Sequence, residues 1–207
     1  MGLDWIVGAR PRDEVGYSVL AELLAKPEDA TLRSRWREIP KIDSWTVLNA
    51  PCVGSSAEAD AWFVKHRLAG CSDTEIRTYL ERNKGYSVVR LVACDGVPVY
   101  SNADLNRELE FTSFRGQFLK DAVGVIDEEM FERAHENMLP PQFLAFGREL
   151  EAAATCFARE QGVMEIAARR DPPEDGDSPG AVAHILASAA RWCQFWATRG
   201  HWLNTWW

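Results

Sequence analysis

Polar residues of several types lie on two stretches near the middle of the chain, 94–102 and 111–117. The residues there that could bind a ligand are Asp95, Tyr100, Asn102, Ser113, Arg115 and Gln117. Turns that are supported by a sheet are places where binding residues concentrate. Arg115 lies just inside a predicted helix start, where backbone N–H groups favour a carboxylate or a phosphate. We therefore expect Arg115 and the 95–102 turn to share a cleft for a small anionic ligand.

An ordinary structural explanation of the same residues stays open. Ser113 could cap the helix that follows it, and Arg115 could pair with Glu108 or Glu110. In that case the two stretches hold a turn and a helix cap, and they have no binding role.

Glu132 and His135 form an E-x-x-H pair on a predicted helix, and residues three apart on a helix face the same way. Two such side chains could bind one metal ion, as in di-iron bundles, but those sites need a second E-x-x-H and further glutamates. Neither His66 nor His184 has a glutamate three residues before it. We therefore predict an exposed acidic helix face here, with no bound metal and no cofactor.

The five cysteines are scattered along the chain and form no C-x-x-C pair. Cys94 directly precedes an Asp-Gly turn, so it could act as a nucleophile if a histidine approached it. The alternative is a small apolar side chain that ends a core strand. Scattered thiols without a pairing pattern favour a reduced, cytoplasmic protein.

Several classes of function have no support in the sequence. P-loop, dinucleotide-binding, α/β-hydrolase and zinc-finger motifs are absent. The formal net charge of −8 disfavours nucleic-acid binding, and a solvated helix face explains the basic stretch 31–41. The sequence has no signal peptide and no apolar run of membrane-spanning length, so we expect a cytoplasmic protein without a membrane partner.

The hydrophobic pattern predicts an α+β fold. A small, mainly antiparallel sheet in the N-terminal half comes from strands at 2–8 and 44–49 and from a hairpin over 88–101. A predominantly helical C-terminal half packs with this sheet. The start and stop signals predict helices over 17–26, from Asp29, after the S-x-x-E sequences at Ser55 and Ser72, and from Ser113, Asp127, Pro140 and Ala181.

The C-terminal end of the sequence is unusually aromatic, with five of the nine tryptophans in its last seventeen residues. A stretch over 169–180, which has no apolar residue other than proline, predicts a flexible linker or an exposed loop. We therefore divide the chain into a globular domain over 1–168, this linker, and a Trp-rich helix and tail over 181–207. We expect the tail to dock on the domain, and docking on a neighbouring subunit of a homodimer is the alternative. The candidate interface residues are Trp202, Trp206 and Trp207.

These observations favour a protein-interaction module, because the chain is acidic, has an aromatic tail and lacks an intact catalytic motif. The partner is then another protein or a second copy of the chain. The alternative is a small-molecule binding protein or an enzyme that uses the 94–102 and 111–117 stretches, with Arg115 holding an anionic group of the ligand. An exposed aromatic patch would favour the first function, and a pocket around Arg115 would favour the second.

Overall fold

A computed structural model describes residues 2–92, 96, 100, 113–122 and 124–206, with only the backbone described for Trp45, Arg90, Gln117 and Phe118. Its elements confirm the α+β fold, with a small antiparallel sheet and a mostly helical C-terminal half. The strands are β1 (Asp4–Gly8), β2 (Arg10–Pro11), β3 (Lys41–Ile42), β4 (Ser113–Phe114) and β5 (Trp202–Trp206). The helices are α1 (Glu14–Ala25), α2 (Ala30–Glu38), α3 (Ala57–Arg67), α4 (Asp73–Arg82), α5 (Glu128–Arg133), α6 (Pro140–Glu160), α7 (Met164–Ala167) and α8 (Pro179–Ala197).

Side-chain caps explain where several of these helices begin. Asp29 accepts hydrogen bonds from the first turn of α2, and Asp127 accepts one from the first turn of α5. Ser72 and Glu75 form the predicted capping box at the start of α4. The cap of α3 is Ser56 and not the predicted Ser55, whose hydroxyl donates to a backbone carbonyl in the preceding turn instead.

Two of the predicted strands are wrong within the described residues. The stretch 44–49 is a 3-10 helix over Ser44–Leu48, because Thr46 bonds back to Asp43 through both its backbone and its hydroxyl. The first part of the predicted hairpin is likewise a 3-10 helix, Val89–Leu91, with the N–H of Leu91 bonded to the carbonyl of Val88. Most of the remainder of that hairpin, including Cys94, lies outside the described residues.

The helix predicted to begin at Ser113 is also wrong. Ser113 and Phe114 form strand β4, and a 3-10 helix over Gly116–Ala122 follows them. The reason is a contact with a residue far away in the sequence. Phe114 pairs with Trp5 across the sheet and is completely buried, and this packing outweighs the local capping signal.

Trp5 lies at the centre of the main hydrophobic core. Its ring lies 5.4 Å from Phe114, 5.7 Å from Phe146 on α6 and 5.9 Å from Trp192 on α8, measured between ring centroids. Its indole N–H donates to the carbonyl of Ala134 at 2.7 Å, so its polar atom is satisfied as well. The sheet and the two long helices therefore share one aromatic core.

The C-terminal tail turns back onto the body of the same chain. Gly200 has a φ of 79°, which allows the chain to reverse after α8. Strand β5 then pairs antiparallel with β1 along its whole length, in the sheet order β4-β1-β5. Its other edge is also bonded, because Leu203 exchanges two backbone hydrogen bonds with Met138 and the N–H of Thr205 donates to Asn137.

A second, smaller core lies under α3 and α4, formed by Val53, Ala59, Phe63, Leu68 and Val88.

The stretch 169–180, predicted as a linker, is in part helical, because α8 begins at Pro179. Arg169, the first residue of that stretch, is held by α8, because Arg191 donates to its carbonyl and to the carbonyl of Ala167 just before the stretch. In the part of the chain that the structure describes, no helix is both long enough and apolar enough to cross a bilayer.

Candidate functional site

The register of the sheet brings residues from the two predicted sites onto one face. Along β1, Trp5 and Val7 are buried in the core, so Asp4, Ile6 and Gly8 face the opposite way. Strand β5 places Trp206 opposite Asp4, Asn204 opposite Ile6 and Trp202 opposite Gly8. On the other side of β1, Ser113 pairs with Ile6, and Arg115 follows one residue beyond the last pair. We name this surface the outer sheet face; its residues are Asp4, Ile6, Gly8, Ser113, Arg115, Trp202, Asn204 and Trp206.

Trp202 is a packing residue of this face. Its indole covers Gly8 so closely that a Cβ atom at that glycine would overlap the ring. The indole N–H donates to the carbonyl of Ala9 at 3.2 Å, and the ring makes an edge contact with Trp36 of α2. Trp202 is therefore half-buried and fixed on both sides, and it connects the sheet to α2.

Trp206 differs from Trp202 because its indole is open to solvent. The residue is 65% exposed, although it is paired with Asp4 at the end of a fully bonded strand. The pairing with Asp4 positions the backbone of Trp206, and its exposed ring projects from the end of the strand. Trp207, the third predicted interface residue, lies outside the described residues.

Asp4 is the charged neighbour of Trp206 on the outer sheet face. One of its carboxylate oxygens, Oδ1, is buried and has no hydrogen-bond partner in the described part of the chain. Burying an acceptor of this kind without a partner costs free energy, so the carboxylate of Asp4 is poorly compensated within the described residues. Asp4 and Trp206 together offer a negative charge beside an exposed aromatic ring.

The structure also brings Tyr100 next to Arg115, through a 2.8 Å hydrogen bond from the backbone N–H of Arg115 to the carbonyl of Tyr100. Ser113 and the Tyr100 side chain are both buried. Asp95 and Asn102 lie outside the described residues, as does the side chain of Gln117. The predicted anion cleft on these two stretches therefore stays a prediction.

The hydroxyl of Tyr100 takes part in a buried hydrogen-bond chain. It lies 2.8 Å from Nδ1 of His184, and Nε2 of His184 lies 3.1 Å from the carbonyl of Arg169. Because a carbonyl can only accept, Nε2 carries the proton and Nδ1 accepts from the tyrosine. Burial lowers the pKa of His184 and raises the pKa of Tyr100 to about 12. Both groups are therefore neutral at pH 7, and the chain fixes α8 to the loop that precedes it.

The other candidates for chemistry are separate from these residues. Glu132 is exposed on α5, but α5 ends at Arg133, so His135 lies in the turn after the helix and the pair is not on one helix as predicted. Nδ1 of His135 donates back to the carbonyl of Phe131 on α5 at 3.1 Å. Among the residues that the structure describes, no group of three or more His, Cys, Asp or Glu could hold a metal ion. Cys94, the candidate nucleophile, lies outside the described residues.

Sequence reasoning missed Asp4 and Asn204 as members of the site. A signal for them exists, because 3–8 and 202–206 both alternate between the two faces of a strand. The sequence does not show that these two segments, which lie at opposite ends of the chain, pair with each other.

The chain was compared with models of protein families, with characterised proteins and with solved structures, and none of the three comparisons gives a match.

Proposed function

We propose that this chain is a protein-interaction module that contacts its partner at the Trp206 end of the outer sheet face, with Trp206 as the central anchor. The observation that carries the proposal is the 65% exposure of this indole on a strand that is bonded along both edges. Tryptophan is enriched among the residues that dominate binding energy at interfaces. A backbone that is already held in a strand loses little conformational entropy on binding, which favours affinity.

The chemistry around Trp206 indicates the kind of partner. The carboxylate of Asp4 lies opposite Trp206 across the sheet and places a negative charge there, which favours a cationic hydrogen-bond donor, and the indole face also attracts a cation. An arginine side chain satisfies both requirements, since its guanidinium stacks on aromatic rings and donates to carboxylates. The net charge of −8 also favours association with a basic surface. The partner we propose is therefore a protein with an arginine-bearing, basic surface.

A second copy of this chain fits the surface less well. Two copies would each carry the same charge of −8, so their approach is opposed electrostatically. The sheet also offers no free edge at β5, because Met138 and Asn137 occupy it. Self-association through Trp206 is therefore an outcome that would contradict the basic partner.

The test compares three purified baits in an extract of the cells that make this protein: the unchanged chain, Trp206→Ala and Val15→Ala. Val15 is the matched control, because it is an apolar residue of similar exposure, 66%, on α1. Each retained protein is then purified, and its affinity for all three baits is measured by calorimetry. We expect a basic partner whose affinity falls at least about 30-fold with Trp206→Ala and is unchanged with Val15→Ala.

Two results would contradict the proposal. The first is a set of partners whose affinities are the same for Trp206→Ala and for the unchanged chain. The second is light scattering that finds a homodimer of the unchanged chain and a monomer of Trp206→Ala, which would make Trp206 a self-association residue.

A further inference from the structure

A cleft between α3 and α4 has the composition of an anion-binding site and is independent of the outer sheet face. Its volume is about 310 Å³, near the lower end of the range for ligand pockets. The described residues that line it are Phe63, Arg67, Leu68, Tyr79, Arg82 and Asn83. None of these residues is acidic.

Two exposed arginines line this cleft from different helices. Arg67 is the last residue of α3, and Arg82 is the last residue of α4. Within the described residues, neither guanidinium group has an ion pair or a hydrogen bond, and neighbouring Glu81 pairs with Lys84 at 3.8 Å. A basic residue in the last turn stabilises its own helix dipole. That effect explains each arginine separately, but it does not explain why both line one cleft without a carboxylate between them.

The remaining lining residues give the cleft an apolar side. Phe63 and Leu68 are buried members of the small core beneath it, and the ring of Tyr79 stands half-exposed at its rim. The amide nitrogen of Asn83 donates one of its two N–H groups to the carbonyl of Tyr79 at 2.7 Å, and the second N–H can donate to an anionic ligand. A ligand with an anionic end and an apolar or aromatic body would contact both sides.

We propose that this cleft binds a small organic phosphate monoester. Two guanidinium groups match the two negative charges of such a phosphate near neutral pH, and each can donate two parallel hydrogen bonds to its oxygens. Phe63, Leu68 and Tyr79 then contact the organic part of the ligand. This function goes beyond protein interaction, and no residue of the cleft belongs to the outer sheet face, so the two proposals fail or succeed separately.

The test is a titration of the full chain with phenyl phosphate, followed by NMR of the arginine Nε–H signals. The variants are Arg67→Gln and Arg82→Gln, and the control is Arg77→Gln. Arg77 is an exposed arginine on the same helix α4, and it does not line the cleft. We expect saturable binding that weakens at least about fivefold in each cleft variant and is unchanged in the control. Inorganic phosphate should bind more weakly than phenyl phosphate, and benzyl alcohol should not bind.

Three outcomes would overturn the proposal. Signals that never saturate would show that no site exists. An equal loss in Arg77→Gln would show a general effect of surface charge. Equal affinity for inorganic phosphate and phenyl phosphate would show that the apolar side of the cleft does not contribute, and that only a patch of charge is present. Circular dichroism of each variant controls for unfolding.

Discussion

Leu203 provides a sensitive test of how the C-terminal tail is attached. The residue lies in the middle of β5, opposite Val7, and its side chain is completely buried. Its backbone N–H and carbonyl both bond to Met138, at 2.9 and 3.0 Å. Alanine keeps these two backbone bonds and removes only the part of the side chain that packs in the core. The substitution Leu203→Ala therefore isolates the contribution of core packing by the tail.

The expected loss follows from the burial of this side chain. Replacing a fully buried leucine by alanine costs about 2 to 5 kcal/mol of unfolding free energy, from lost burial and the cavity left behind. For a chain of this length, that loss lowers the melting temperature by about 4 to 20 °C. The measurement is urea unfolding followed by circular dichroism. Trp206→Ala is the control, and its unfolding free energy should change by less than about 0.5 kcal/mol because the ring is exposed.

Two results would refute this reasoning about Leu203. A loss below about 1 kcal/mol would mean that the side chain is not packed in the core. A melting temperature that rises with protein concentration would mean that the tail pairs with β1 of another subunit and not with its own.

Further predictions concern the covered glycine and the buried histidines. Gly8→Ala should lower the unfolding free energy in urea by about 1 to 3 kcal/mol, because the added Cβ overlaps the ring of Trp202. Gly176→Ala is the control and should leave the unfolding free energy nearly unchanged, because a Cβ there meets no atom within 4 Å. Burial lowers the pKa values of His201 and His184, so the unfolded chain takes up protons before the folded one does. Stability should therefore fall as the pH drops below about 6.5, by at most about 1.4 kcal/mol per pH unit for each histidine. Unfolding of His201→Gln between pH 7.5 and 5.5 should show a shallower dependence, and a stability that rises on acidification would contradict the sign of both shifts.

Local signals in the sequence were sufficient for most helices. Asp29, Asp127 and the Ser72–Glu75 pair each mark a helix start, because a cap acts through the first few residues of the helix itself. The long helix α6 also begins at the predicted Pro140, and its apolar residues follow the helical repeat. These features depend only on residues that are neighbours in the sequence, so the sequence alone predicts them.

The sheet could be predicted only in part, because its pairing joins distant segments. The alternation in 2–8 identified β1, but nothing near Ser113 indicates that Phe114 pairs with Trp5. The stretch 44–49 has the composition of a strand, yet Thr46 bonds to Asp43 and closes a local turn. In both cases the contacts formed in the folded chain, the Phe114–Trp5 pairing and the Thr46–Asp43 bond, determine the secondary structure, and the intrinsic preference of the residues does not.

The candidate site was predicted in pieces and not as a whole. The sequence singled out Arg115, Trp202 and Trp206, but it assigned them to two separate surfaces. The register through β1 places them on one face and adds Asp4 between them. It also separates Trp202, which packs against Trp36, from Trp206, which is exposed. Both tryptophans look alike in the sequence, and only their positions along β5 relative to α2 distinguish them.

The most direct test of the central claim measures stability and partner affinity together on one variant, Trp206→Ala. If Trp206 is an anchor for a partner, its unfolding free energy should stay within about 0.5 kcal/mol of the unchanged chain, because an exposed ring contributes little to the core. Its affinity for the purified basic partner should fall at least about 30-fold in the same buffer. An unfolding free energy that falls by about 2 kcal/mol or more, with the affinity unchanged, would contradict the claim, because a loss of that size is typical of a buried packing residue.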